Sequence, residues 1–167
     1  MTADAQNISR RAILSDEERN MVTAYVEEHT HISLDLASQM TGLHPAILRK
    51  LVRDGVIDGE APHRYKQIYG TCNIEQAKAV AARLQAARAP VDGNPILATE
   101  AAEKYGFPHI TIYNWLNNGW VRVLVESGKR DRLLDEGDIA FAAALARESG
   151  HRQGKPVFPH GKGPYAK

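Results

Sequence analysis

Hydrophobic positions recur about one helical turn apart in three stretches, each opened by a residue suited to capping a helix. Ser15 and Glu18 form a capping-box pair, and Asp16 and Glu17 suit the positive end of a helix dipole. Met21, Val22, Tyr25 and Val26 then predict a helix with one buried face running to about His29. Ile74, Ala77, Val80, Ala81 and Leu84 predict a second helix, starting at Thr71 or Asn73 and ending near Arg88 before Pro90, Gly93 and Pro95. Asp135, with Asp138 at capping-box spacing, opens a third through Ile139, Ala142, Leu145 and Ala146 to Gly150.

Between these helices the chain repeats itself. ISLDLASQMTGLHPAILRKLVRDGVI (32–57) and ILATEAAEKYGFPHITIYNWLNNGWV (96–121) align without a gap at an offset of 64. Ala37 matches Ala101, Gly42 matches Gly106, and Gly55 matches Gly119, while Leu48, Leu51 and Val52 match Ile112, Trp115 and Leu116. Few identities are shared; the special positions holding register are what mark the repeat. Thr71 and Asp135 also fall 64 apart, as the expected caps of the following helices. Each copy reads as a short helix, a glycine turn plugged by Leu43 or Phe107, and a second helix, about Pro45–Asp54 and Pro108–Asn118. That is helix-turn-helix geometry. A hairpin candidate follows each: Val56-Ile57 with a return strand Arg64–Tyr69, and Val121–Val125 with the turn ESGK and the return RDRLL.

ATEAAEKYGFPHITIYNWLNNGWV, with its hairpin and capped helix, resembles the excisionase-like and MerR-like winged helix-turn-helix domains. It is also similar to the DNA-recognition domain of phage small terminase subunits. HISLDLASQMTGLHPAILRKLVRDGVI resembles bacterial regulator winged helices, so the two likenesses together cover about residues 15–150. The resemblance implies a mainly α fold with small β-hairpin wings, two winged helix-turn-helix modules in tandem. The modules would lie at 15–89 and 96–150, while composition reads 1–14 as a flexible N-terminus, 90–95 as a linker and the Gly-, Pro- and Lys/Arg-rich 151–167 as a flexible basic tail. The resemblance further implies that the second helices meet double-stranded DNA through His44, Arg49, Lys50 and Arg53 in one copy. The matching positions in the other are His109, Thr111, Tyr113, Asn114 and Asn117. Arg64 and Lys66, and Lys129, Arg130 and Arg132, fall where the wings would touch phosphates. The second copy departs from the family pattern, because its second helix carries neither Lys nor Arg. Asn can still read adenine, and Tyr or Thr can meet phosphate.

Composition changes this picture less than its totals suggest. The 167 residues hold 21 basic and 20 acidic side chains, a net charge of +1, which at first argues against a nucleic-acid partner. By segment the charge is −3 over 1–31, +2 over 32–95, −2 over 96–150 and +4 over 151–167. Near-neutrality is therefore an average over unlike segments. The tail stands equally as a solvated terminus or a phosphate-contacting arm. Arg49, Lys50 and Arg53 read either as a solvated face or as DNA contacts, with their place on the second helix favouring contact. Trp115 reads as core, whereas Trp120 fits under the wing or against a partner equally well. His29 and His31 read as a hydrogen-bonded or exposed pair before a metal pair.

Several classes are expected to be absent. A lone cysteine, Cys72, forms no internal disulfide and no cysteine-based zinc site. No run nears about 18 apolar residues, and the N-terminus lacks the order of a signal peptide, so the expectation is cytoplasmic with no membrane partner. No nucleophile, phosphate-loop or zincin motif occurs, so neither an enzyme nor a cofactor is expected. The expected role is transcription regulation or accessory help to excision and recombination. A homodimer, a recombinase or transcription partner, a protein-interaction adaptor and a ring-forming packaging subunit are the alternatives.

Overall fold

The computed structural model describes residues 15–61, 70–126, 128, 132–150 and 155–167. Helix α1 is Asp16–Glu28. A first unit then runs β1 (His31–Ser33), α2 (Leu34–Thr41), α3 (Pro45–Arg53), β2 (Gly59–Glu60), β3 (Thr71–Asn73) and α4 (Ile74–Arg88). After a 3₁₀ turn at Ala89–Val91, the same order returns: β4 (Pro95–Leu97), α5 (Ala98–Tyr105), α6 (His109–Asn117), β5 (Val123–Val125), β6 (Leu133–Asp135) and α7 (Glu136–Glu148). The chain is mainly helical with two small antiparallel sheets, ordered β1-β3-β2 and β4-β6-β5. No described helix is long and apolar enough to cross a membrane.

The repeat seen in the sequence is a repeat of structure. Strand β1, helix α2, helix α3 and strand β2 reappear 64 residues later, and the four matched glycines Gly42, Gly106, Gly55 and Gly119 all take φ between 73° and 76°. Ser33 caps α2 through the Leu36 amide, and Gly42 ends it in the left-handed region that a side chain would disfavour. The Ser38 hydroxyl donates to the buried Leu43 carbonyl at 2.6 Å, which fixes the turn into α3. Ile32 and Ile96, each the one buried residue of a three-residue strand, add a third strand to each sheet. These two strands escaped the sequence pattern, since three residues give almost no alternation to detect.

Register then breaks by two. The cap of α4 is Asn73, whose Oδ1 accepts from the Gln76 amide, and the matching cap of α7 is Asp135, 62 residues on. Thr71 belongs instead to β3, opposite Ser33 and Glu60, so its pairing with Asp135 is not structural. Val56 and Ile57 likewise lie in the turn before β2 rather than in a strand. In the second copy the return strand is Leu133–Asp135, displaced toward the helix, and β5 is irregular between Val123 and Val125. The expected return strand at 64–69 and the segment 1–14 lie outside the described residues.

Part of the expected face of α1 is exposed. The capping box forms, with the Ser15 amide on Glu18 at 2.7 Å and the Glu18 amide on the Ser15 hydroxyl, holding the Glu18 carboxyl below its usual range. Met21, however, is 72% exposed and Tyr25 47%, while Val22 is half-buried. Periodicity reports amphipathicity, and burial needs a neighbouring element as well.

One core spans both units. The main contact between them is α4 against α7, and α7 is buried from Glu136 to Ala146. Five alanines, at 140, 142, 143, 144 and 146, let neighbouring backbones come close around it. Arg83 of α4 clamps Glu148, and Arg88 pairs with Asp138 at 2.7 Å while lying over the Phe141 ring. Segment 90–95 is accordingly a bound connection: the Asp135 carboxylate accepts from the Gly93 amide, and Glu136 holds both the side chain and the carbonyl of Asn94.

Three carboxylates at the start of α7 are therefore buried together: Asp135, Glu136 and Asp138. Asp135 caps the helix through the Gly137 amide and meets the Arg122 guanidinium. Asp138 does not complete a capping box; its two oxygens take the Arg88 side chain and the Arg122 amide. Burial pushes Asp138 up against the pull of these donors. For Glu136 burial also opposes ionisation, but Lys104, Tyr105 and Asn94 outweigh it and hold the carboxyl below its usual value.

A group with a depressed folded-state pKa stabilises above its unfolded pKa, and that stabilisation is lost as pH falls through the folded value. Glu136→Gln should therefore cost about 1–2 kcal/mol at pH 7. The gap from the parent should close as pH drops below about 4.5, the ordinary value for this carboxyl. Urea denaturation at both pH values measures it, and a gap independent of pH would contradict the role given to Glu136.

Candidate functional site

The surfaces most suited to a partner are the second helix of each unit and the strands that follow. Helix α3 starts at Pro45 and buries Ile47, Leu48, Leu51 and Val52. The remaining positions face outward to different degrees. Arg53 is exposed and Arg49 half-buried. Lys50 departs from expectation: its side chain is only 14% exposed, with the ammonium on Asp54 at 2.5 Å. One turn of helix separates the two, so the pair forms locally and removes Lys50 from the open face. His44 is the cap of α3, its Nδ1 accepting from the Ala46 amide, and its ring meets Trp120 edge-on at 5.1 Å. The start of α3 thus abuts the second unit.

Helix α6 buries Ile112 and Trp115. His109, Asn114 and Asn117 are exposed, Thr111 and Tyr113 half-buried, and His109 packs edge-on against Tyr113 at 4.8 Å. Ile110 stands 67% exposed beside them. Arg132 enters β6 half-buried, 3.9 Å from Glu126. Arg64, Lys66, Lys129 and Arg130 lie outside the described residues.

The C-terminal segment is the largest correction. Residues 151–154 are outside the described part, but 155–167 are not a free arm: Val157 and Phe158 are buried. Phe158 stacks on Trp120 at 5.0 Å and meets Trp115 edge-on, so Trp120 packs inside the molecule, against the chain's own C-terminal segment. The amides of Gly163 and Tyr165 donate to the carbonyls of Asn118 and Gly119, the turn that ends α6. Net charge and Gly/Pro content suggested a loose tail, while the short Val157-Phe158 pair was the available signal of anchorage.

Because the segment rides over that turn, a groove of about 710 Å³ opens between the end of α6, strand β5 and residues 162–167. Arg122, Arg132, Lys162 and Lys167 line it, with Glu126 as the carboxylate among its lining. In the first unit the position matching Arg122 is Asp58, which accepts from His31 at 3.2 Å. His31 is thereby engaged with a carboxylate, and His29 donates to the Tyr25 carbonyl and stacks on that ring. Among the described residues no group of three or more His, Cys, Asp or Glu is placed to hold a metal. Cys72 is buried, and burial pushes its thiol up to about 11, which leaves it a poor nucleophile.

No protein-family model matches the chain, and neither does any curated protein or solved structure.

Gly55 and Gly119 offer a matched comparison of turn and tail. Both have φ near 75°, but a Cβ at Gly55 meets open space, whereas one at Gly119 would clash with the Ala166 backbone. Gly55→Ala should cost about 1–2 kcal/mol from the left-handed backbone alone. Gly119→Ala should cost more and expose the C-terminal segment to protease. Thermal melting with limited proteolysis reads both, and equal losses with an unchanged digestion pattern would refute the docked segment.

Proposed function

We propose that the chain is a sequence-specific double-stranded DNA-binding protein built from two winged helix-turn-helix modules. Its role would be that of a transcription regulator or an accessory factor in excision or recombination. The observation that carries this reading is the twice-repeated unit of helix, left-handed glycine turn, second helix and antiparallel strands, with Arg53 exposed and Arg49 half-buried on α3. A second helix held this way fits a major groove, and the strands after it reach the flanking phosphates. The likeness to excisionase-like and MerR-like domains belongs to this proposal and rests on the same residues.

A protein-binding role for the second unit has a specific observation behind it. Helix α6 lacks Lys and Arg and presents Ile110 to solvent, a surface better matched to an apolar partner than to phosphate. In that version α3 reads DNA and α6 meets a protein.

Selection from a random duplex library by the full chain, followed by gel-shift titration, tests the proposal. Arg49→Ala with Arg53→Ala should weaken binding to the selected site by about 1–3 kcal/mol for each base-contacting arginine. No enriched motif, or unchanged affinity of the double variant, would overturn the role of α3. Ile110→Glu separates the two versions of α6: reduced DNA affinity favours a DNA face, and retained affinity favours a protein face.

A further inference from the structure

We propose that the groove between the end of α6, strand β5 and residues 162–167 seats one phosphodiester strand of the bound duplex. The C-terminal segment would form a fixed wall of that seat. This inference rests on the DNA-binding reading above and assigns a site within it.

The groove lining combines cationic with apolar side chains, Leu116, Val121 and Val123 among the latter. Four cationic side chains face one carboxylate along its lining, and that carboxylate, Glu126, is no closer than 3.9 Å to Arg132. Arg122 gives one nitrogen to Asp135, which cancels part of its charge, while its side chain stays 42% exposed. Lys162 and Lys167 are exposed. They stand where they do because Phe158 and the two backbone bonds to the Asn118–Gly119 turn fix the segment that carries them. Tyr165 lies within 5.8 Å of the Arg122 guanidinium and joins wall to strand.

Position favours a nucleic-acid strand over a small anion. The groove runs from Asn117, on the exposed face of α6, along β5, so a backbone leaving that helix would enter it directly. The arrangement also accounts for a helix without cations. In the first unit Arg49 and Arg53 lie on α3 and Asp58 occupies the position before the strand, whereas in the second the cations stand beside the strand and on the segment behind it. Attraction to phosphate is supplied once in each unit, from different places.

Fluorescence anisotropy of a labelled duplex, titrated with the full chain at several salt concentrations, tests the site. Removing one cation from a phosphate makes the slope of log K against log salt shallower by about 0.9. Lys162→Ala with Lys167→Ala should therefore change the slope by about 1.8. Lys78→Ala with Arg147→Ala, at exposed positions on α4 and α7, should leave it unchanged. An unaltered slope in the first pair, with binding still weakened by Arg49→Ala and Arg53→Ala, would overturn the groove and leave the DNA-binding reading standing. Failure of the parent chain to bind any duplex would overturn both.

Discussion

The architecture depends on keeping three carboxylates out of water at the start of α7. A buried charge costs several kcal/mol unless it is matched, and removing one partner of such a pair is far more damaging than never having built it. Asp135, Glu136 and Asp138 draw their donors from separate parts of the chain: Arg88 on α4, the 93–94 connection, Lys104 and Tyr105 on α5, and Arg122 before β5. Satisfying them brings those elements together in one arrangement. Alanines along α7 then let α4 approach, and the Arg83–Glu148 pair closes the far end. Two copies of one unit become a single body with a shared core.

That fusion matters for what the surface can do. The start of α3 touches Trp120 through His44, and Trp120 in turn carries Phe158. The first unit's second helix, the turn ending α6 and the C-terminal segment are joined through three rings. A pair of modules on a flexible linker would adapt to many half-site spacings, whereas under the proposed DNA-binding role this body would present one. Net charge of +1 is then consistent with a binder whose non-specific attraction is modest and whose discrimination rests on a few fixed side chains.

Much of this was legible in the sequence, and the misses share a cause. The offset of 64 located both helix pairs because Gly42, Gly55, Gly106 and Gly119 mark positions where only a left-handed turn fits. Register failed at Asn73, since nothing in a short local pattern announces a hairpin of different length in each copy. Asp135 and Asp138 read correctly as residues at a helix start, but their burial against Arg88 and Arg122 depends on partners 13 to 50 residues away. Lys50 looked solvent-facing by helical angle and is instead held by Asp54. Met21 and Tyr25 of α1, expected in a buried face, stand exposed, and the basic tail concealed an anchor of two apolar residues. Local patterns specify elements; which surfaces meet is decided by groups far apart in sequence.

The claim that two fused units act together on one duplex is tested most directly by hydroxyl-radical footprinting of the full chain on its selected site. The account predicts two protected stretches at a single fixed spacing, filling together at the same protein concentration. Stretches that fill independently, or a duplex left evenly cleaved, would contradict it.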